Sequence, residues 1–256
     1  MPWAQDILDA IDSGKINLDD YDLSAWRLMH IGAQPVPPSL IKRWQQHFPN
    51  HQYDTNYGLS ESIGPGCVHL GVENPHKVGA IGKAGFGWQV KIVGSDGSEV
   101  KQGEVGELAV KGPGVMKCYY KNPEATAEIL HGDWLWTGDM AREDKDGFIY
   151  LVDRKKDVII SGGENIYPEE VSNVIQLLSD DVAEVCVYGV PDELWGEHVK
   201  ASVVLAPGSK LTAEALTAFC RKHMPRFRVP KEIEFLPQLP KNASGKVLVN
   251  QLKSRK

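Results

Sequence analysis

No apolar run in this sequence approaches the roughly 18 residues that a membrane-spanning helix takes, so the sequence offers no transmembrane segment. Paired cysteines are also missing. Cys67, Cys118, Cys186 and Cys220 lie far apart and form no CxxC, which argues against both a disulfide scaffold and a thiolate zinc site. The expectation is four reduced thiols in a cytoplasmic protein. The eight histidines show no metal-ligand spacing. Positive charge is not in excess: 28 Lys and Arg against 34 Asp and Glu leave a net charge of −6, which argues against a general nucleic-acid binder. The N-terminus, MPWAQDILDAIDSGK, lacks the basic–apolar–small order of a secretory signal. No repeat, no Walker-type phosphate loop and no strand-preceded G-x-G-x-x-G occurs.

What is there suits a soluble globular chain: 42% hydrophobic and 24% charged residues over 256 positions, enough for one or two domains. SAWRLMHIG (24–32) alternates like a strand, prolines 35, 37 and 38 force a turn, and 39–48 carries apolar residues at helical spacing. From about residue 76 the texture turns to short glycine-punctuated strands, with SDGS (95–98) as a hairpin turn; a small barrel or curled sheet is expected. A helix follows at 123–130 and strands at 148–153 and in VIISGG (158–163). Beyond them helices at 168–178, 211–224 and 247–254 alternate with strands at 182–190, 198–206 and 232–236, the texture of a small α+β domain. The expected fold is therefore mixed α/β and α+β, with a first domain over 1–154 and a compact second domain over 155–256.

Chemistry concentrates in 134–170, WLWTGDMAREDKDGFIYLVDRKKDVIISGGENIYPEE. Asp139 and Arg154 bracket a strand connection: a carboxylate able to accept two ribose hydroxyls beside a guanidinium, or an ordinary ion pair by a hairpin. Gly162 and Gly163 make either a plain strand-to-helix turn or a place where backbone approaches a ligand closely. Tyr57-Gly58-Leu59-Ser60-Glu61 joins an aromatic that can stack on a base, a hydroxyl for a phosphate oxygen and a carboxylate suited to Mg²⁺; a polar turn is the plainer alternative. Lys246, on a glycine-bearing loop, is either solvated or a mobile cation for developing negative charge. Trp195, in the exposed loop 191–197, is expected to pack.

Seven segments in order resemble the adenylate-forming family of acyl-CoA synthetases, aryl-CoA ligases, peptide-synthetase adenylation domains and beetle luciferases. They are GAQP (32–35), YGLSE (57–61), GELAVKGPGVMKCYYKNPE (106–124), WLWTGD (134–139), LVDRKKDVIISGGENIYPEEV (151–171), VYGVPDELWGE (187–197) and LPKNASGKV (239–247). Within that family DRKKDVIISGGENIYP is similar to acyl-CoA synthetases. The resemblance implies that Gly32, Ala33, Gln34 and Tyr57 line an adenine, with Gly58 in the same segment. It implies that Ser60 meets phosphate, Glu61 binds Mg²⁺, and Asp139 holds ribose hydroxyls with Arg154 beside them. It further implies that Lys246 contacts the carboxylate and α-phosphate, that Lys156 is a hinge, and that Ser161–Tyr167 with Gly162 and Gly163 helps form a pantetheine channel. ATP or AMP, Mg²⁺ and coenzyme A are the implied cofactors. The implied chemistry is activation of a carboxylic acid, fatty by the GGENIYP likeness or alternatively aromatic, through an acyl-adenylate to the CoA thioester.

The family's Ser/Thr/Gly-rich phosphate loop should lie well upstream of Tyr57. The chain is therefore expected to be the C-terminal part of a longer synthetase: the end of a large domain with its β-barrel, then a small mobile domain. By itself it is expected to turn over poorly and to self-associate through apolar surface. The alternative of a different class is a non-catalytic nucleotide- or partner-binding module on the same fold.

Overall fold

A run of buried residues at helical spacing opens the chain. The computed structural model describes residues 2–32, 36, 38–71, 73–242 and 245–255. Helix α1 (Pro2–Asp12) buries Ala4 and Leu8, four apart and so on one face. Strand β1 (Leu28–Ile31) and helix α2 (Pro38–His47) follow, α2 burying Leu40, Ile41 and Trp44. Strand β2 (Gln52–Gly58) then pairs with β1 in parallel, Leu28 opposite Gln52 and Ile31 opposite Thr55. Parallel partners need such a crossover, and α2 supplies it. Arg43 on α2 donates to Asp9 at 2.7 Å and to Asp12, tying the two helices together. Strands β3 (Pro65–Leu70) and β4 (Lys83–Ala84) complete this sheet antiparallel, in the order β1-β2-β3-β4.

The glycine-punctuated region forms a second sheet of five strands. These are β5 (Gln89–Val93), β6 (Gly106–Lys111), β7 (Leu130–His131), β8 (Trp134–Glu143) and β9 (Ile149–Arg154), with helix α3 (Pro123–Ile129) before β7. The order is β5-β6-β8-β7, and β9 also pairs with β8, a half-barrel built on one long strand. Gly94 N donates to Ser98 O at 2.9 Å, closing the turn expected around SDGS. Along β2 the inward residues alternate. Tyr53 joins the α1–α2 cluster, whereas Tyr57 joins the half-barrel core of Cys67, Ile92, Leu108, Val110, Leu135, Ala141 and Ile149.

Residues 1–151 and 152–256 are two compact units. The second unit holds β10 (Ile159–Ser161), β11 (Glu164–Ile166), α4 (Pro168–Ile175), β12 (Val182–Asp192), β13 (Gly196–Leu205), α5 (Ala213–His223), β14 (Glu232–Phe235) and α6 (Val249–Lys253). Its sheet runs β11-β10-β13-β12, with β14 parallel on β13. Alternation on β12 fills two layers: Val185 and Val187 pack with Val171, Ile175, Leu216 and Cys220 of α4 and α5, while Cys186, Tyr188 and Val190 pack with Leu236, Leu239 and Leu252.

Two local expectations change. VIISGG is not one strand: it stops at Ser161, turns through Gly162 and Gly163, and returns as β11. Residues 191–197 are mostly ladder, since Pro191 faces Glu197 and Asp192 faces Gly196, which shrinks the loop to 193–195. Strand β3 had no distinct signal in the sequence, lying in a stretch of glycine, proline and cysteine.

Candidate active site

The parallel pair β1–β2 sets the first part of the site. Ligands of open α/β sheets sit outside the carboxyl ends of parallel strands. Gly32 follows the end of β1, and a Cβ there would come within 3.0 Å of Asn56 Oδ1 on β2. Ala33 and Gln34, expected beside Gly32, lie outside the described residues.

Asp139 owes its position to an irregularity in β8. Glu107 faces Met140 and Ala109 faces Trp136, so Leu108 alone opposes Thr137, Gly138 and Asp139. Such a bulge bends the strand and re-aims a side chain. Gly138 takes φ +74°, which glycine adopts without steric cost. Its N–H donates to Glu107 Oε1 at 3.0 Å, and Thr137 Oγ1 donates to Leu108 O at 2.7 Å. Thr137 Oγ1 also accepts from Asp139 N at 3.2 Å. Thr-Gly-Asp is thus a built corner: a hydroxyl to pin the bulge, a glycine to turn it, and a carboxylate to present.

Tyr57 Oη donates to Asp139 Oδ2 at 2.5 Å, across 82 residues of sequence. Both side chains are 8% exposed. Burial, then the Asp139 charge, pushes the Tyr57 phenol well above its ordinary range, so it stays a donor at any working pH. Little of the Tyr57 ring is open to a stacking base; the residue acts as a floor that fixes Asp139.

The YGLSES segment continues into a 3₁₀ turn (Ser60–Ser62) that exposes Ser60. Ser62 Oγ is buried and accepts from Leu59 N at 2.9 Å. Ile63 then takes φ +56°, a left-handed conformation unusual for a β-branched residue. Met116 N donates to Glu61 O at 2.7 Å, and a Cβ on Gly114 would lie 2.2 Å from Ser62 O, so the 112–116 loop lies flat against this turn. Tyr119 Oη donates to Glu61 Oε1 at 2.7 Å. That hydrogen bond, with burial and the Glu61 charge behind it, raises the Tyr119 phenol to about 12. The roles of Tyr119, Thr137 and Glu107 were not assigned from sequence. Only their presence inside GELAVKGPGVMKCYYKNPE and WLWTGD marked them.

The other residues expected from sequence lie in the second unit. Arg154 ends β9, and Lys156 sits exposed in a short 3₁₀ turn (Lys155–Asp157). Gly162 and Gly163 have φ of +60° and +86°, the pattern of a two-residue hairpin turn. Gly162 N donates to Trp195 O at 2.9 Å, and a Cβ on Gly162 would meet the Trp195 ring at 2.6 Å. Trp195 is 48% exposed, but one edge of its ring lies against Gly162. Lys246 is exposed: Asn242 N donates to Lys246 O and Lys246 N donates to Asn242 Oδ1, both at 2.9 Å.

The cysteines are free thiols; burial raises Cys67 and Cys186 to about 12 and Cys220 to about 11, while Cys118 is exposed. Among the described residues no helix is long and apolar enough to cross a membrane.

Residues 3–120 match the profile of the AMP-binding enzyme family, and residues 171–246 match that of the AMP-binding enzyme C-terminal domain. The chain belongs to the AMP-binding enzyme family. Its curated relatives include CoA ligases. It is 42% identical over 238 residues to feruloyl-CoA synthase of an Amycolatopsis species, covering 91% of this chain and 47% of that one. It is 42% identical over 236 residues to a long-chain-fatty-acid–CoA ligase of Salmonella typhimurium, covering 91% and 41%. Its structure superposes on o-succinylbenzoate CoA synthetase of Bacillus subtilis, solved with an acyl-adenylate intermediate, at a TM-score of 0.83 and 32% identity, covering 99% of this chain and 54% of that chain. The chain thus spans about half the length of the relatives it matches.

Proposed function

We propose that this chain supplies the ribose-binding, metal-binding and mobile-lysine parts of a carboxylate–CoA ligase. The observation that carries the reading is the buried Tyr57–Asp139 pair on the β8 bulge. A carboxylate has about four acceptor positions. Tyr57 takes one, and a carboxylate presented on a bulge suits the paired hydroxyls of a ribose. Glu61 would hold Mg²⁺. Among the described residues no three His, Cys, Asp or Glu cluster to hold a metal ion, so the ion would take most of its oxygens from the nucleotide phosphates and water, the usual Mg²⁺ arrangement.

Two steps follow for this reading. A substrate carboxylate oxygen bonds to the α-phosphorus of ATP and the bond to pyrophosphate breaks. The attack brings anions together, and Lys246 supplies the offsetting charge. The CoA thiolate then bonds to the acyl carbon and AMP leaves, with the Gly162–Gly163 turn as the close backbone surface along which pantetheine runs. Lys156 serves as the hinge between steps in which the second unit presents first one set of groups, then the other. The acid is of the fatty or aromatic class.

The test is ATP–pyrophosphate exchange by the protein carrying this chain, with ferulate and palmitate as probes. Asp139→Ala and Lys246→Ala should each lower exchange by at least about a hundredfold, the scale of losing one transition-state electrostatic group. Nucleotide binding with no exchange from any acid would instead support a non-catalytic module. Ile63, Phe86 and Tyr120 are exposed on the first unit and favour self-association; sedimentation that finds only monomer would count against that part.

A further inference from the structure

One carboxylate in the second unit closes a loop that holds nearly every residue assigned to the second step. Asp153 Oδ1 accepts from Arg154 N at 2.7 Å, and Asp153 Oδ2 accepts from Glu169 N at 2.8 Å. Glu169 is the second residue of α4, where helix N–H groups have no intrahelical acceptor. The residue before the helix, Tyr167, makes no side-chain cap, so Asp153 does that work from sixteen residues away. Residues 154–168 therefore leave and return to the same side chain. That excursion contains Arg154, Lys156 and the β10–β11 hairpin with its Gly162–Gly163 turn. Lys246 is outside it. The attachment at the far end is rigid, since α4 buries Val171, Ser172 and Ile175 in the core of the unit.

We infer that Asp153 is a positioning residue, a latch that fixes the hinge turn and the glycine hairpin to the start of α4 and so serves the thioester step more than the adenylation step. The second half of this inference rests on the function proposed above; the first half stands on the hydrogen bonds alone. The number of acceptors matters as well as shape, because a carboxylate accepts on both oxygens while an amide has only one acceptor oxygen.

Two measurements test it. Amide hydrogen exchange of the full chain should show residues 154–169 exchanging at least about tenfold faster in Asp153→Ala, the scale of losing hydrogen bonds to a charged group, with Asp153→Asn intermediate. The α5 and β12–β13 amides report whether the unit still folds and should be unchanged. Unchanged exchange across 154–169 in Asp153→Ala would overturn the latch. In the protein carrying this chain, the same variant should lower CoA-thioester formation from preformed acyl-adenylate at least about tenfold while ATP–pyrophosphate exchange falls less than about threefold. Equal losses in both half-reactions, or no loss in either, would overturn the positioning role. A wild-type protein that performs neither half-reaction would refute the proposed function, and hydrogen exchange would still decide the latch.

Discussion

Tyr57→Phe isolates the interaction on which the nucleotide reading depends. The substitution removes one hydroxyl and nearly conserves volume, so it opens no cavity and forces no repacking. What it removes is a 2.5 Å hydrogen bond to a carboxylate, with both partners 8% exposed. Hydrogen bonds to charged groups contribute about 1.5–3 kcal/mol, and a buried acceptor left under-satisfied adds to the cost. Asp139 keeps other interactions, so the expected loss is near the middle, about 2 kcal/mol. The first unit should show it. Six of the seven tryptophans (Trp3, Trp26, Trp44, Trp88, Trp134 and Trp136) lie there, so urea unfolding followed by tryptophan emission reports that unit. With a slope of about 2 kcal/mol per molar urea, the midpoint should fall by about 1 M with the slope unchanged. A loss under about 0.5 kcal/mol would mean that solvent replaces the hydroxyl and that the pair is not a buried clamp. A changed slope would mean that the variant altered the compactness of a state rather than one bond.

Three further outcomes are expected. Tyr119→Phe removes the donor on Glu61 Oε1; stability should change by less than about 1 kcal/mol at this half-exposed position, while the Mg²⁺ concentration giving half-maximal pyrophosphate exchange shifts severalfold, and an unshifted Mg²⁺ curve would separate Tyr119 from metal binding. Gly162→Ala should destabilise the second unit by about 2 kcal/mol from left-handed strain plus the Trp195 clash, and Gly163→Ala, whose added Cβ meets nothing within 4 Å, by about 1 kcal/mol from strain alone; thermal melts showing equal losses would remove the clash from the account. His69 is fully buried, stacks on Tyr53 at 5.2 Å, and finds no hydrogen-bond partner for either ring nitrogen among the described residues. Burial lowers its folded pKa below the ordinary 6.5. The unfolded chain then binds the extra proton first, so the contribution is fully present above about pH 6.5 and is lost as pH falls below it. Urea midpoints measured from pH 7.5 to 5 should decline more steeply for the native protein than for His69→Gln.

Elements whose side-chain period matched their burial were legible in the sequence. The helix at 39–48 announced itself by Leu40, Ile41 and Trp44, and α4 by Pro168 at its first position with acids behind it. The Gly162–Gly163 segment was legible as a turn but not in its sense. A glycine pair before Pro168 fits a turn into a helix, yet two positive φ values and three residues of β11 make it a hairpin first. The 191–197 loop was misjudged for a related reason: it reads as an exposed loop after a buried strand, but the long β12–β13 ladder carries Pro191 and Asp192 into pairing with Glu197 and Gly196.

The site shows the same limit more sharply. Glu61 and Asp139 stood out because carboxylates near glycine and hydroxyl residues invite a ligand reading, whereas the residues that hold them did not. Tyr119 is 58 positions from Glu61, and Glu107 is 31 from the Gly138 amide it accepts from. No local pattern encodes those pairings; they exist because β6 lies beside β8 and the 112–116 loop lies on the Ser60 turn. The bulge makes the point in one place. Thr137-Gly138-Asp139 reads as a common loop tripeptide, and its meaning comes from being three residues set against one. Two extra residues keep the alternation in phase, so Asp139 faces the same side as Leu135 and Ala141, while Thr137 and Gly138 bend the strand and set where the carboxylate stands. The presented carboxylate is therefore a property of the β6–β8 register, which is why changes at Thr137 or Glu107, neither of them assigned to the ligand, should weaken nucleotide binding through Asp139.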